Sequence, residues 1–379
     1  MERTLLVIAL ALGCAVAAPA GLAAYLEGEE PGPDVPQQLI RPLPVVPPPV
    51  PVPHNALTQA VHRISVLRGH TYKGLTVFPL EMSRVTDRTE YLSVEESLRE
   101  GLLVITEKGG GSVPSLLAEN KADRPILMLA GEIMSGGKQN RILKEDVLLP
   151  ARSGWVELPV YCVEHGRWSG RGMSFGKSSA VAALNVRAIA QAGAPQQQVW
   201  NNVSYYQVNL HVDSGTGDLQ TVQGSGEVRE AVDEYKDAFR ERWPRRAIGM
   251  VVARHGRIVG AEIFCNPAVF RKHRDRLLES YAVDCYTARR MEDRERRRHA
   301  SADTDDAERF LRHAFRAEYE WRGTPGLGRL LSARGAGFDG LSLVHRKALV
   351  HAALFAHEGI VVHPVPIAPP GIRRRAQSE

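Results

Sequence analysis

The sequence predicts an α+β fold, with a β-rich N-terminal half packed with a mixed helix/strand C-terminal half. Three observations carry this reading. Short apolar runs bounded by turn residues succeed one another from residue 57 to 168, the pattern of strands. Helical periodicity then takes over from residue 178 to 243. Beyond it, "AIGMVVARHGRIVGAEIF" reads as a hairpin turning at His255-Gly256. The 379-residue chain is 44% hydrophobic and 24% charged, which suffices for a substantial core.

In the first half, "YKGLTVFPLEM" reads as a strand. "LSVEESLREG" follows as a short helix, with Ser93 as N-cap, Glu96 closing a capping box and Gly101 as the stop. "LLVITEK" is a strand, "GGGS" a turn, and "VPSLLAEN" a short helix with proline in its first turn. The runs "RPILMLAGEIM", "KQNRIL", "DVLLPA" and "WVELPVYCVEH" are then successive strands. In the second half, "SSAVAALNVRAIAQAGAPQQQVWNNVSYYQVNL" is helical. "EVREAVDEYKDAFRERW" is an amphipathic helix with Val228, Val232, Tyr235 and Phe239 on one face. The mixed-sign run "RRMEDRERRRHASADTDDAERF" suits a solvated helix or an insertion. "VHRKALVHAALFAH" reads as helix and "GIVVHPVPI" as a final strand.

Outside this unit the chain reads differently. Residues 1–26 carry one Arg, an apolar stretch from Leu5 to Leu26 and small residues at A-x-A-like positions, the pattern of a secretory signal. An uncleaved anchor, or a lipoprotein box ending at Cys14, are the rival readings of the same residues. Residues 27–56 form a proline-rich linker; 31–53 hold 10 of the chain's 24 prolines, which favours an extended polyproline tether of up to roughly 70 Å. Residues 57–365 are the α+β domain, divisible into halves 57–170 and 171–365, and 366–379 is a basic flexible tail. The expected location is extracytoplasmic, periplasmic or secreted, with a membrane engaged only through the N-terminal segment.

A net charge of +5 and 6% aromatic residues argue against a basic, ring-lined groove, so no nucleic acid partner is expected. Three cysteines lie beyond the N-terminal segment: Cys162, Cys265 and Cys285. Cys265 with Cys285 is the natural disulfide candidate in an oxidising compartment, buried thiols being the alternative. No metal site is expected. The chain has no C-x-x-C pair, and "DTDD" lacks the spacing of a calcium loop. His345, His351, His357 and His363 recur every six residues, which would spiral around a helix.

Two stretches concentrate chemistry. In "LMLAGEIMSGGKQNRIL", Gly136-Gly137 reads as a two-residue hairpin turn, which would place Glu132 opposite Arg141 and Ile133 opposite Asn140. A buried Glu132 needs a partner, and Arg141 would supply one. Alternatively the segment is a pocket floor, with Lys138 and Arg141 attracting a small anionic ligand while Gln139 and Asn140 read its hydrogen-bonding groups. In "PVYCVEHGRW", strand alternation puts Cys162 and Glu164 on one face and His165 on the other, which disfavours a cysteine-histidine pair. Glu164 is the better acid or base, with Arg167 and Trp168 binding charge and stacking a ring. If there is catalysis, the expected form is hydrolysis with Glu132 or Glu164 as a base of raised pKa. A glycine loop in "EKGGGSVPSL" before a helix N-terminus is a weaker phosphate signal.

Together "VPSLLAENKADRPILMLAGEIMSGGKQNRIL", "PVYCVEHGRW", "VWNNVSYYQVN", "IVGAEIFCNPAVFRK" and "LLESYAVD" resemble a family of uncharacterised prokaryotic domains. That family is named for association with ADP-ribosylglycohydrolases and the rhodanese-phosphatase superfamily. The resemblance spans roughly residues 57–365, and its specific parts are the G-E, K-Q-N-R and C-V-E-x-G-R-W runs. It implies a link to ADP-ribose or NAD-derived chemistry and leaves the cofactor unknown. By matching motif it adds Glu262, Tyr281 and Asp284 to the positions already named, with Glu262 as a ligand-binding candidate.

Overall fold

A computed structural model describes residues 53–360, apart from 86, 169–171, 177–179 and 292–300. The signal-like segment, nearly all of the proline linker, the centre of the charged run, the final strand and the basic tail therefore lie outside the described residues. Among the described residues are α-helices α1–α8 and strands β1–β17 in three sheets, an α+β architecture. No helix among them is long and apolar enough to cross a membrane.

The largest sheet runs β1(Ile64–Val66), β3(Leu75–Met82), β12(Ala247–Arg254), β13(Arg257–Phe264), β17(Ala348–Ala356), β16(Phe338–His345), β15(Arg329–Arg334), β14(Glu318–Arg322), with β2(His70–Tyr72) also on β3. Its recorded pairings are antiparallel, and strands from both ends of the domain sit side by side in it. Both faces are covered. Phe78, Leu80, Val251 and Leu354 meet α1(Ala56–Arg63) and α8(Thr304–Arg312) on one side. Met250, Val252 and Phe355 meet α3(Leu184–Gln191), α4(Gln196–Leu210), α6(Gly226–Phe239) and α7(Pro267–Met291) on the other.

The same helical layer also packs on a five-stranded sheet, in order β5(Leu103–Glu107), β6(Ser115–Asn120), β11(Gly154–Cys162), β9(Arg141–Leu143), β8(Ile133–Met134). A third sheet, β10(Val147–Leu149), β7(Ile126–Met128), β4(Leu92–Ser93), closes a smaller core with α2(Val94–Arg99). Helix α5(Leu219–Gln223) sits beside the β8–β9 loop and completes the element list.

Local chemistry sets several boundaries as expected. Ser93 and Glu96 form the reciprocal capping box of α2, and Gly101 follows at φ +68°. His255 and Gly256 both take positive φ in the β12–β13 turn, the geometry a tight hairpin needs. Val228, Val232, Tyr235 and Phe239 are the buried stripe of α6. The "DTDD" segment is a helix start, with Asp303 capping α8 and Asp306 returning the bond.

Two assignments are corrected. "VPSLLAEN" is strand β6, paired on both sides by β5 and β11; tertiary pairing overrides a weak helical signal, and the glycine loop before it feeds no helix. "VHRKALVHAALFAH" is the β16–β17 hairpin, turning at Arg346 and Lys347 with φ of +48° and +67°. Leu349 to Ala356 are all buried because both faces of β17 are covered, which erases the period-two alternation that marks a half-exposed strand. The proposed disulfide is also absent. Cys162, Cys265 and Cys285 are free and buried; Cys265 lies by Asn266, whereas Cys285 faces the Tyr235 hydroxyl.

Candidate functional site

Strands β8 and β9 pair Ile133 with Ile142 and Met134 with Arg141, leaving Ser135–Asn140 as a six-residue loop. The expected two-residue turn and the Glu132–Arg141 pairing are therefore overturned. The glycines serve close approach instead. A Cβ on Gly136 would stand 2.6 Å from the Ser174 carbonyl, and one on Gly137 2.3 Å from the Phe175 ring. The loop is fastened along its length: Gly137 N–H donates to Ser174 O at 3.0 Å, and Lys138 N–H to Glu107 Oε1 at 2.8 Å.

Glu164 and Arg167 brace this loop from the end of β11. Arg167 Nε donates to Glu164 Oε1 at 2.7 Å and Nη2 to Oε2 at 2.6 Å, a bidentate pair. Asn140 N–H at 3.0 Å and the Thr216 hydroxyl at 3.0 Å complete the carboxylate's partners. Arg167 also donates to the Gly137 and Gly136 carbonyls at 2.8 and 3.2 Å. Burial pushes the Glu164 carboxyl up, but the bonds from Arg167 and Asn140 outweigh it and hold the group below its ordinary value. A saturated carboxylate of lowered pKa is a clamp, and the expectation of a raised-pKa base at Glu164 fails.

Two more candidates serve the same bracing. Asn140 Nδ2 donates to Asp218 at 2.9 Å and to Gln220 at 3.3 Å, while its Oδ1 accepts from Gly136 N–H at 3.0 Å. Gln139 Oε1 accepts from Arg141 Nη1 at 3.2 Å and from the Cys162 thiol at 3.1 Å. Burial raises the Cys162 thiol, and His165 packs edge-on against Trp200, with ring centres 4.3 Å apart.

Lys138, Arg141 and Trp168 remain with capacity to spare. Arg141 is 0% exposed, yet its Nε and Nη2 have no hydrogen-bond partner among the described residues. Trp168 is 46% exposed. Its ring centre lies 5.2 Å from Lys138 Nζ and 5.8 Å from Arg141 Cζ, so one aromatic ring meets both cations. Lys138 lies across Gly111, where a Cβ would stand 2.8 Å from its Cδ, and donates to the Gly110 carbonyl. The Gly109–Gly111 loop is thus part of this site without any helix behind it.

Glu132 and Glu262 belong elsewhere, in a sealed charge cluster under the helical layer. Glu262 Oε1 accepts from Arg187 Nη1 at 2.8 Å and from the Tyr281 hydroxyl at 2.9 Å. His351 spans from Glu262 Oε2 at 3.0 Å to Asp146 Oδ2 at 2.6 Å. Glu132 faces Arg276 Nη1 at 2.9 Å and accepts from Leu129 N–H; burial outweighs that guanidinium and pushes its carboxyl upward. Asp284 makes a separate pair with Tyr206 and Arg254. Asp146, Arg187 and Arg276 escaped the sequence reading because only the fold assembles them, and His351 was set aside as one of four histidines spiralling around a helix, whereas it lies on strand β17. Among the described residues no group of His, Cys, Asp and Glu is arranged to hold a metal ion.

The cluster makes stability depend on pH. Burial opposes the charge on His351, but Asp146 and Glu262 outweigh it and raise the imidazolium from 6.5 to about 9. Burial also opposes the Glu262 charge, yet Arg187 and His351 hold it down from 4.5 to about 2. The His351 contribution is complete below pH 6.5 and is lost as pH rises through 9; that of Glu262 is complete above pH 4.5 and is lost as pH falls through 2. Melting temperature should therefore fall from pH 6.5 to 9, and His351→Gln should flatten that limb. An unchanged alkaline slope in the variant would assign the effect to other groups.

A family model described as ARPP-1, "ARG and Rhodanese-Phosphatase-superfamily-associated Protein domain", matches residues 63–355. No curated protein and no solved structure matches the chain.

Proposed function

Since the chain belongs to that family, we propose that its domain binds a small anionic ligand beside Trp168, with Arg141 and Lys138 as the cationic partners. The observation that carries this reading is the Arg141 guanidinium, fully buried with two N–H-bearing nitrogens unmatched. A buried charge with unsatisfied donors is costly, and an anion accepting from Nε and Nη2 together offsets that cost. Lys138 adds a second charge and Trp168 a half-exposed ring for stacking. The family description, with its association to ARG and the rhodanese-phosphatase superfamily, supports a phosphorylated ligand of nucleotide, ADP-ribose or sugar-phosphate type. Binding is the reading, because Glu132 is sealed in the core and Glu164 is saturated. The apolar N-terminus and proline tract support export as part of it; a reporter active only outside the cytoplasm, fused to residues 1–60, would stay silent if that part is wrong.

Thermal-shift titration of the protein with inorganic phosphate, ADP-ribose and ribose 5-phosphate tests the binding claim. Lys138→Ala, at a half-buried position whose ammonium bonds only the Gly110 carbonyl among the described residues, should cost no more than about 1 kcal/mol of stability, while losing about ten-fold or more in affinity. No shift with any of the three would favour a non-catalytic adaptor whose polar loop only holds the domain together.

A further inference from the structure

We infer that Glu107 is a specificity-determining residue of this same site, accepting hydrogen bonds from the hydroxyls of an anionic sugar; the inference rests on the anion-binding reading above. Glu107 ends strand β5 and is 3% exposed. Its Oε1 accepts from Lys138 N–H at 2.8 Å, so the carboxylate sits directly against the peptide of a residue that faces the anion. Its Oε2 is buried with no hydrogen-bond partner among the described residues. Buried polar atoms are normally matched, and an unmatched acceptor held against the segment whose Arg141 carries unmatched donors points to a ligand that supplies the complement of each.

The backbone brings the 135–140 loop close against this carboxylate and leaves open space at the neighbouring Gly109–Gly110 turn. A Cβ on Gly137 would stand 2.6 Å from Glu107 Oε1, and added Cβ atoms on Gly109 and Gly110 would meet nothing within 4 Å. Arg141 offers free donors and Glu107 a free acceptor, so the matching ligand carries an anion and hydroxyl groups together. A bare inorganic anion would satisfy Arg141 but would meet the carboxylate as a like charge.

The test compares inorganic phosphate, 2-deoxyribose 5-phosphate and ribose 5-phosphate by isothermal titration against the whole protein. The expected order is ribose 5-phosphate tightest, at least about ten-fold above phosphate, with the deoxy sugar between them. Glu107→Gln can still accept from Lys138 N–H but puts an amide donor where Oε2 stood. It should bind phosphate as well or better while losing the preference for the sugar. Equal affinities for the three ligands in the unsubstituted protein would overturn the role of Glu107 and leave the anion site standing. Retention of the full preference in Glu107→Gln would overturn it as well. Failure of all three to bind would overturn both.

Discussion

Glu262→Ala is expected to cost about 3–5 kcal/mol, the range for breaking a buried ion pair from one side. Against a total stability of roughly 5–15 kcal/mol for an ordinary domain, this leaves a protein that is marginal or unfolded at room temperature. The carboxylate is 0% exposed and joins four elements, bonding Arg187 on α3, Tyr281 on α7 and His351 on β17 from its own strand β13. Removing it strands a guanidinium and an imidazolium where water cannot reach. Chemical denaturation measures the loss. Replacing Arg187 and Glu262 together by Met and Leu should recover a large part of it, since apolar residues of similar volume are tolerated where a lone charge is not. A loss below about 1 kcal/mol for Glu262→Ala would show that the cluster is not the keystone its geometry implies.

Arg141→Met is expected to do the opposite. The apo protein should keep its melting temperature or gain slightly, and affinity for ADP-ribose or ribose 5-phosphate should fall by about 100-fold or more. The contrast lies in the group removed, since among the described residues Arg187 beside Glu262 also keeps Nε and Nη2 unmatched. Glu262 has a partner at each oxygen, whereas Arg141 donates among the described residues only through Nη1, to the carbonyl and side chain of Gln139. A residue retained at a cost to stability is the signature of a binding group. Should Arg141→Met lose several kcal/mol of stability while binding normally, the guanidinium would be structural.

These contrasts also show what could be read from the chain. Local signals were legible: the Ser93–Glu96 capping box, the His255-Gly256 turn and the apolar stripe of α6 each depend on neighbours a few residues away. The polar run at 138–141 and the Glu164, Arg167 and Trp168 stretch were both legible as concentrations of polar chemistry, and the structure brings them together, since Arg167 bonds the 135–140 loop and Trp168 meets Lys138 and Arg141. Their division of labour was not legible. Whether Arg141 bonds Glu132 or stands unmatched depends on a six-residue loop in place of a two-residue turn, and the contacts that decide it come from Ser174, Phe175 and Glu107. Glu107 was invisible for the same reason; it closes an ordinary strand, and only the fold brings it beneath Lys138. The β16–β17 hairpin was mistaken for helix because a strand buried on both faces carries no alternation.

The central claim is that Arg141, Lys138 and Trp168 form an anion site, and Trp168 reports on it directly. Tryptophan fluorescence should change saturably as ribose 5-phosphate is titrated into the protein, and the change should vanish in Trp168→Phe and in Arg141→Met while both variants stay folded. A saturable signal that survives both substitutions, or binding by calorimetry that neither substitution weakens, would place the ligand elsewhere and contradict the account.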